Sequence, residues 1–246
     1  MFKYKKTLTL IIIKLKGGKT MVDFGNAIKK PFSDKKTMLI GLILGAIPVV
    51  NLLIGGYALK VAEDTIKGNT AIRKWVVGDI VEYITKLIMS VIISIVYLII
   101  PLIIIVIGIG TAAVNLLPAL TTGTIDPTVF MTALGAGGAI VLVGVILAVL
   151  VSLALPMAIM KWLKAGSMGA AFKIGDVVKS CLTGDYIITW IVVIIYSVIL
   201  TAILGLIAGL LGMIPYIGIV LSMLVLGLLT FSLSVTEYSM FAQTVK

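Results

Sequence analysis

Few side chains in this sequence could do chemistry, and their types exclude most reactions. Histidine is absent, which removes the commonest metal ligand and the commonest general base near neutral pH. The single cysteine, Cys181, has no second cysteine for an intramolecular disulfide and no histidine to activate it as a nucleophile. Gly17-Gly18-Lys19-Thr20 ends like a phosphate-binding loop but lacks that loop's first glycine at the required spacing. Among the ten acidic residues, Glu63, Asp64, Glu82 and Glu237 fall near the ends of apolar stretches and none at a centre. Ion-coupled pumps place ionisable groups within their spans, so this pattern argues against one. No catalytic set, metal site or cofactor site is expected, and the chain reads as non-enzymatic.

Two groups of residues carry binding chemistry instead. Lys29, Lys30, Lys35, Lys36, Lys161 and Lys164 stand beside apolar runs, where an ammonium attracts anionic lipid headgroups by about 1 kcal/mol each. The net charge of +10 does not point to nucleic acid, because the cations flank apolar segments instead of forming one basic face. Pro48, Asn51, Gly55 and Gly56 form the second group. They could break a helix and expose carbonyls to a polar ligand at membrane depth. A plain turn between two short helices accounts for the same residues.

The elements that must position these residues are apolar helices. Hydrophobic residues make up 61% of the chain and charged residues 12%, against about 25% charged in soluble domains. No Lys or Arg falls between Leu87 and Met160 or between Ser180 and Val245. Each window is long enough to cross a bilayer twice at roughly 20 residues per crossing. Spans are expected at about Val81 to Ile107, Val129 to Met160, Ile187 to Leu211 and Ile217 to Val235. The cationic clusters belong in the cytoplasm by the positive-inside rule, which also places both termini there and the cell membrane as the location. Tyr57, Trp75, Trp162, Tyr186, Trp190 and Tyr216 fall near the boundaries, where interfacial aromatic anchors are expected.

Thr37 to Leu59 has positive clusters at both ends, so two short helices turning at Pro48 to Asn51 keep both clusters inside and give six membrane segments. One Pro-kinked helix would give five. Three hexamers favour six: Phe24-Gly25-Asn26-Ala27-Ile28-Lys29, Val77-Gly78-Asp79-Ile80-Val81-Glu82 and Ile174-Gly175-Asp176-Val177-Val178-Lys179. Each reads as an interfacial amphipathic helix before a membrane hairpin, a threefold repeat. Small residues four apart, Gly41 and Gly45, Ser90 and Ser94, Gly205 and Gly209, suit close helix packing. Residues 1–20 read as a non-native or interfacial extension, because Gly17-Gly18-Lys19-Thr20-Met21 can be encoded as a ribosome-binding site with its start codon. Residues 21–246 then form one helical transmembrane domain.

Pro31-Phe32-Ser33-Asp34-Lys35-Lys36, Gly56-Tyr57-Ala58-Leu59-Lys60 and Ile214-Pro215-Tyr216-Ile217-Gly218 together resemble a largely archaeal family of integral membrane proteins, domain-of-unknown-function family 4013. The layout is similar to the membrane domain beside some glycerophosphodiesterases. That family often has a Pro-acidic-Trp element before the second hairpin; Ile72-Arg73-Lys74-Trp75 keeps only the Trp. The resemblance implies an all-α polytopic fold and carries no activity. The expected function is a membrane-complex subunit or a lipid-organising protein, with membrane lipids, a protein partner or a second copy as partners. A transporter or channel-like protein for a small or amphipathic solute is the alternative.

Overall fold

The computed structural model describes residues 22–122 and 127–245, so the extension before Met21 lies outside the described residues. Every regular element among the described residues is helical: α1 (Phe24–Lys29), α2 (Lys35–Ala46), α3 (Leu52–Ile66), α4 (Ile80–Thr122), α5 (Pro127–Ala165), α6 (Ile174–Cys181), α7 (Gly184–Gly212) and α8 (Gly218–Ala242). Four of them, α4, α5, α7 and α8, are long and apolar enough to cross a membrane. The expected spans lie within these helices but for Ile217, which caps α8. Yet α4 runs 43 residues and α5 39, about 60 Å each at 1.5 Å per residue. The neutral Gly, Ala and Thr residues from Gly108 onward continue the helix where composition suggested a connection.

The stretch from Thr37 to Leu59 is two helices, not one kinked span. The chain leaves helical geometry at Ile47 and re-enters it at Leu52, with Val49 at φ 69°. Gly41 lies against the Phe231 ring and Gly45 against the backbone of Gly227, so α2 runs antiparallel to α8. Tyr57 also lies beside Phe231, and Thr65, in the last turn of α3, accepts a hydrogen bond from Lys30, just before α2 begins. The chain therefore reverses between α2 and α3. The two pack on each other less than each packs on α8. At 12 and 15 residues they are too short to span.

The turn after α7 repeats the first one. Ile47-Pro48-Val49-Val50 and Ile214-Pro215-Tyr216-Ile217 both follow a glycine by one residue, and both hold the residue after proline in the left-handed region, Tyr216 at φ 64°. The hydrogen bonds match too: Ile47 N to Leu44 O and Asn51 N to Ile47 O in one, Ile214 N to Leu211 O and Gly218 N to Ile214 O in the other. The three hexamers fare unequally. Two are separate helices, α1 and α6, whereas Val77–Asp79 is a 3-10 turn running straight into α4. Val77 and Val81 are well exposed, so that copy has no buried apolar face.

One core gathers the ends of the long helices. Ala27 of α1, Leu59 and Ala62 of α3, Ile93 of α4, Met157 to Met160 of α5, Tyr186 of α7 and Met240 to Ala242 of α8 are buried together. Pro156 sits inside α5 and lacks an N–H, so the Ser152 carbonyl one turn earlier has no donor from that position. The Leu153 carbonyl there accepts from Tyr186 Oη at 2.6 Å and Trp190 Nε1 at 3.1 Å, tying α7 to α5. Tyr57 and Tyr186 are thus core residues and not the interfacial anchors expected, while Tyr216 is fully exposed. Away from this core, α4 packs on α5 and α7 on α8, with no comparable packing between the two pairs. Gly205 and Gly209 face open space, so that small-residue pair makes no helix contact within the chain.

Candidate functional site

The site is assembled from caps, a stacked aromatic pair and a clamped linker. Asp23 accepts from Asn26 N at 2.9 Å and so caps α1, while its own N–H donates to Gln243 Oε1 at 2.7 Å and fixes α1 to the end of α8. A 3-10 turn holding Pro31 follows, closed by Ser33 Oγ donating to the Lys30 carbonyl at 2.7 Å. Asp34 then caps α2 through Thr37 N at 2.7 Å. That backbone hydrogen bond holds the Asp34 carboxyl below its usual range.

Across from this turn lies the segment between α3 and α4. Trp75 stacks on Tyr57 with centroids 4.1 Å apart, Tyr83 meets both edge-on, and Tyr57 Oη donates to the Arg73 carbonyl. The Arg73 guanidinium bridges Asp64 at 3.0 Å and Asp79 at 2.7 Å, the two ends of the segment. Burial works against its charge, but these two carboxylates prevail and raise its pKa. Two donors on the segment, Arg73 Nε and Trp75 Nε1, are buried without an acceptor.

Between the turn and the segment is a cavity of about 390 Å³ lined by Asn26, Lys29, Lys30, Ser33, Asp34, Thr70 and Lys74, with Ala71 and Ile72. The nearby acids do not neutralise its lysines. Glu63 takes Lys60, Lys67 and Lys86, and Glu82 takes Lys60 and Lys86. Burial raises the Glu63 carboxyl, but hydrogen bonds from Lys67, Lys86 and Lys60 outweigh it and hold the group at about 2. None of Lys29, Lys30 and Lys74 has a carboxylate within ion-pair distance among the described residues. Lys30 is only 3% exposed, its ammonium donating to Thr65 Oγ1 at 2.8 Å. Burial, partly offset by Asp64, pushes its pKa down to about 8. The arrangement is a concave surface on which Lys29, Lys30 and Lys74 outnumber the one carboxylate in the lining, Asp34, and stand beside several neutral donors, an excess of positive charge suited to an oxyanion.

Of the six lysines expected to meet anionic headgroups, Lys29 and Lys30 come together here. Lys35 and Lys36 are exposed on the first turn of α2 outside the cavity lining, and Lys161 and Lys164 sit at the C-terminal end of α5, also outside that lining. Lys74, Asn26, Ser33 and Thr70 join the site without having been singled out in the sequence. Lys74 stands in the sequence in a basic cluster with Lys60, Lys67, Arg73 and Lys86, which is its signal; the others carry none and become neighbours through the fold. Pro48 and Asn51 lie at the α2–α3 turn and line no part of this cavity. Gly55 faces Leu87, and a Cβ on Gly56 would fall 2.0 Å from the Tyr83 carbonyl, so those glycines serve helix contact.

No curated protein and no solved structure matches the chain. A family described as a protein of unknown function, DUF4013, matches residues 39–209, which take in the clamped segment with Thr70 and Lys74 and all of α3 to α6. With well over half of its length inside that match, in an all-helical fold with four helices apolar enough to cross a membrane, the chain belongs to the DUF4013 family.

Proposed function

We propose that this protein is a non-enzymatic integral membrane protein that organises lipid, seating an anionic headgroup between α1 and the Thr70–Lys74 segment. The carrying observation is the cavity with Lys29, Lys30 and Lys74 against the single carboxylate of Asp34, none of the three lysines in an ion pair among the described residues and one of them buried. A buried ammonium only partly offset by the charge of Asp64 is unfavourable, and a phosphodiester oxygen would relieve that. In this reading α4, α5, α7 and α8 cross the bilayer, the shared core lies at the cytoplasmic interface with both termini, and the cavity opens at headgroup level. Gly45 meets Gly227, nine residues into α8, about 13 Å from its outer end. The α2–α3 pair is then a re-entrant hairpin turning within the hydrocarbon layer, with its exposed Ile47, Val49 and Leu52 toward acyl chains.

The test is calorimetric titration of the purified protein in dodecyl maltoside with short-chain phosphatidylglycerol, phosphatidylcholine and inorganic phosphate. Saturable binding of phosphatidylglycerol alone is expected, weakened at least tenfold by Lys29→Gln with Lys74→Gln. Equal binding of phosphatidylcholine, or no effect of the double substitution, overturns the proposal. Binding of inorganic phosphate as tight as that of the lipid would make the ligand a free anion and remove the lipid role.

A further inference from the structure

A second cavity has the opposite character. It measures about 370 Å³, lies between α5, α7 and α8, and is lined by Pro156, Ile159, Trp190, Ile194, Phe241 and the carboxylate of Glu237, among others. Its volume is in the range of small-molecule sites, roughly 300–1,000 Å³. Pro156 of α5 stands in its wall. Trp190 and Tyr186 reach across to the Leu153 carbonyl and hold α7 to α5 through side chains instead of close backbone contact, which leaves room beside them.

Glu237 is the acidic residue within α8, five residues before its last. Its Oε1 accepts from Ser197 Oγ at 2.7 Å, and among the described residues no Lys or Arg lies within ion-pair distance of it. A carboxylate in an apolar membrane helix without a cation is costly and is a mark of function. Around it are Trp190 and Phe241, edge to face with centroids 5.1 Å apart, and Tyr238. Aromatic faces beside a carboxylate select an ammonium over other cations, because ring quadrupole and charge act together. The remaining wall, Leu155, Ile159, Val193, Ile194 and Val198, is aliphatic and suits an alkyl chain.

We infer that this cavity binds an amphipathic amine, with the ammonium on Glu237 between the aromatic rings and the chain along the Ile194 and Val198 face of α7. It is independent of the headgroup seat: other helices build it and its charge is reversed.

The experiment measures binding of radiolabelled dodecyltrimethylammonium and of uncharged dodecanol to the protein in dodecyl maltoside micelles, against empty micelles. Wild type is expected to bind the cation saturably and about tenfold tighter than the alcohol. Glu237→Gln should erase that preference and leave dodecanol binding in place. Ile194→Trp, which keeps the carboxylate and fills the space, should abolish binding of both, and it decides the matter if the Glu237→Gln variant does not fold. No saturable cation binding, a preference that survives Glu237→Gln, or cation binding that survives Ile194→Trp overturns the inference.

Discussion

Ile93 and Ile99 stand six residues apart on α4 in the same run of Ile, Val and Leu, yet Ile93 is fully buried and Ile99 is 49% exposed. Gly56 and Gly209 differ in the same way: one has the Tyr83 carbonyl where a Cβ would go, the other nothing within 4 Å. Each pair samples two regions. Near the shared core, helices meet at backbone distance, aromatic rings stack, Glu63 and Arg73 sit in networks of ion pairs, and buried polar groups mostly find partners. Farther out, α4 and α5 form one hairpin and α7 and α8 another, each packed on itself and exposing apolar side chains around most of its circumference. In the outer region particular residue types are prescribed only along the seam inside a hairpin, where Gly108 and Gly137 let α4 and α5 meet at backbone distance, and the outward faces need only apolar character; near the core several elements prescribe residue types at once. A site that recognises a ligand needs the second kind of specification, and both cavities border the core.

The largest effect is expected from glycine and separates the packed core from the outward faces of the outer hairpins. Gly56→Ala should cost about 3 kcal/mol or more, because helix backbone and not a flexible side chain occupies the space. Gly209→Ala should stay within about 0.5 kcal/mol. Thermal unfolding of both variants in detergent checks this, and equal losses would erase the distinction. Ile93→Ala should follow at about 2–4 kcal/mol against under about 1 for Ile99→Ala.

Acid should act on the core region next. Glu63 is held at about 2, below its ordinary 4.5, so its contribution is complete above pH 4.5 and is lost as pH falls through that value toward 2. With a side chain 14% exposed, the loss is up to about 3 kcal/mol. A melting temperature that declines with acid in wild type and declines less in Glu63→Gln is the expected reading. The smallest effect concerns the headgroup seat. Lys30 titrates at about 8, so above that pH an anion must bring a proton with it. Affinity for phosphatidylglycerol should fall severalfold between pH 7.5 and 9.5, and a flat profile would detach Lys30 from the site.

The four long helices were legible because a charge in a bilayer is costly, so the gaps between lysines trace them directly. Their full length was not: past Gly108 nothing charged or proline-rich marks where α4 leaves the apolar layer, and the helix simply continues. The reversal at Pro48 could be read from the basic clusters at both ends of Thr37 to Leu59. The position of α8 against both arms could not, since it depends on Gly227 meeting Gly45 from more than 180 residues away. The same holds for the site. Lys29 and Lys30 are adjacent and identical in type, and only the fold buries one and exposes the other. Trp75 was visible as a resemblance to other members of the family, but its stacking on Tyr57, which brings Lys74 opposite Lys29, is a tertiary event. Glu237 looked peripheral by its position in the sequence; the side-chain bridges from Tyr186 and Trp190 to α5 leave a cavity beside it.

The central claim is that the packed end holds an anionic lipid in a defined seat. Native mass spectrometry of the protein released from nanodiscs of equal phosphatidylglycerol and phosphatidylcholine tests it most directly. The account predicts one retained phosphatidylglycerol per chain in wild type and its loss in Lys29→Gln with Lys74→Gln, with Lys35→Gln and Lys161→Gln retaining it. Retention of both lipids in proportion to the bilayer, or loss in the Lys35 and Lys161 variants to the same degree, would contradict it.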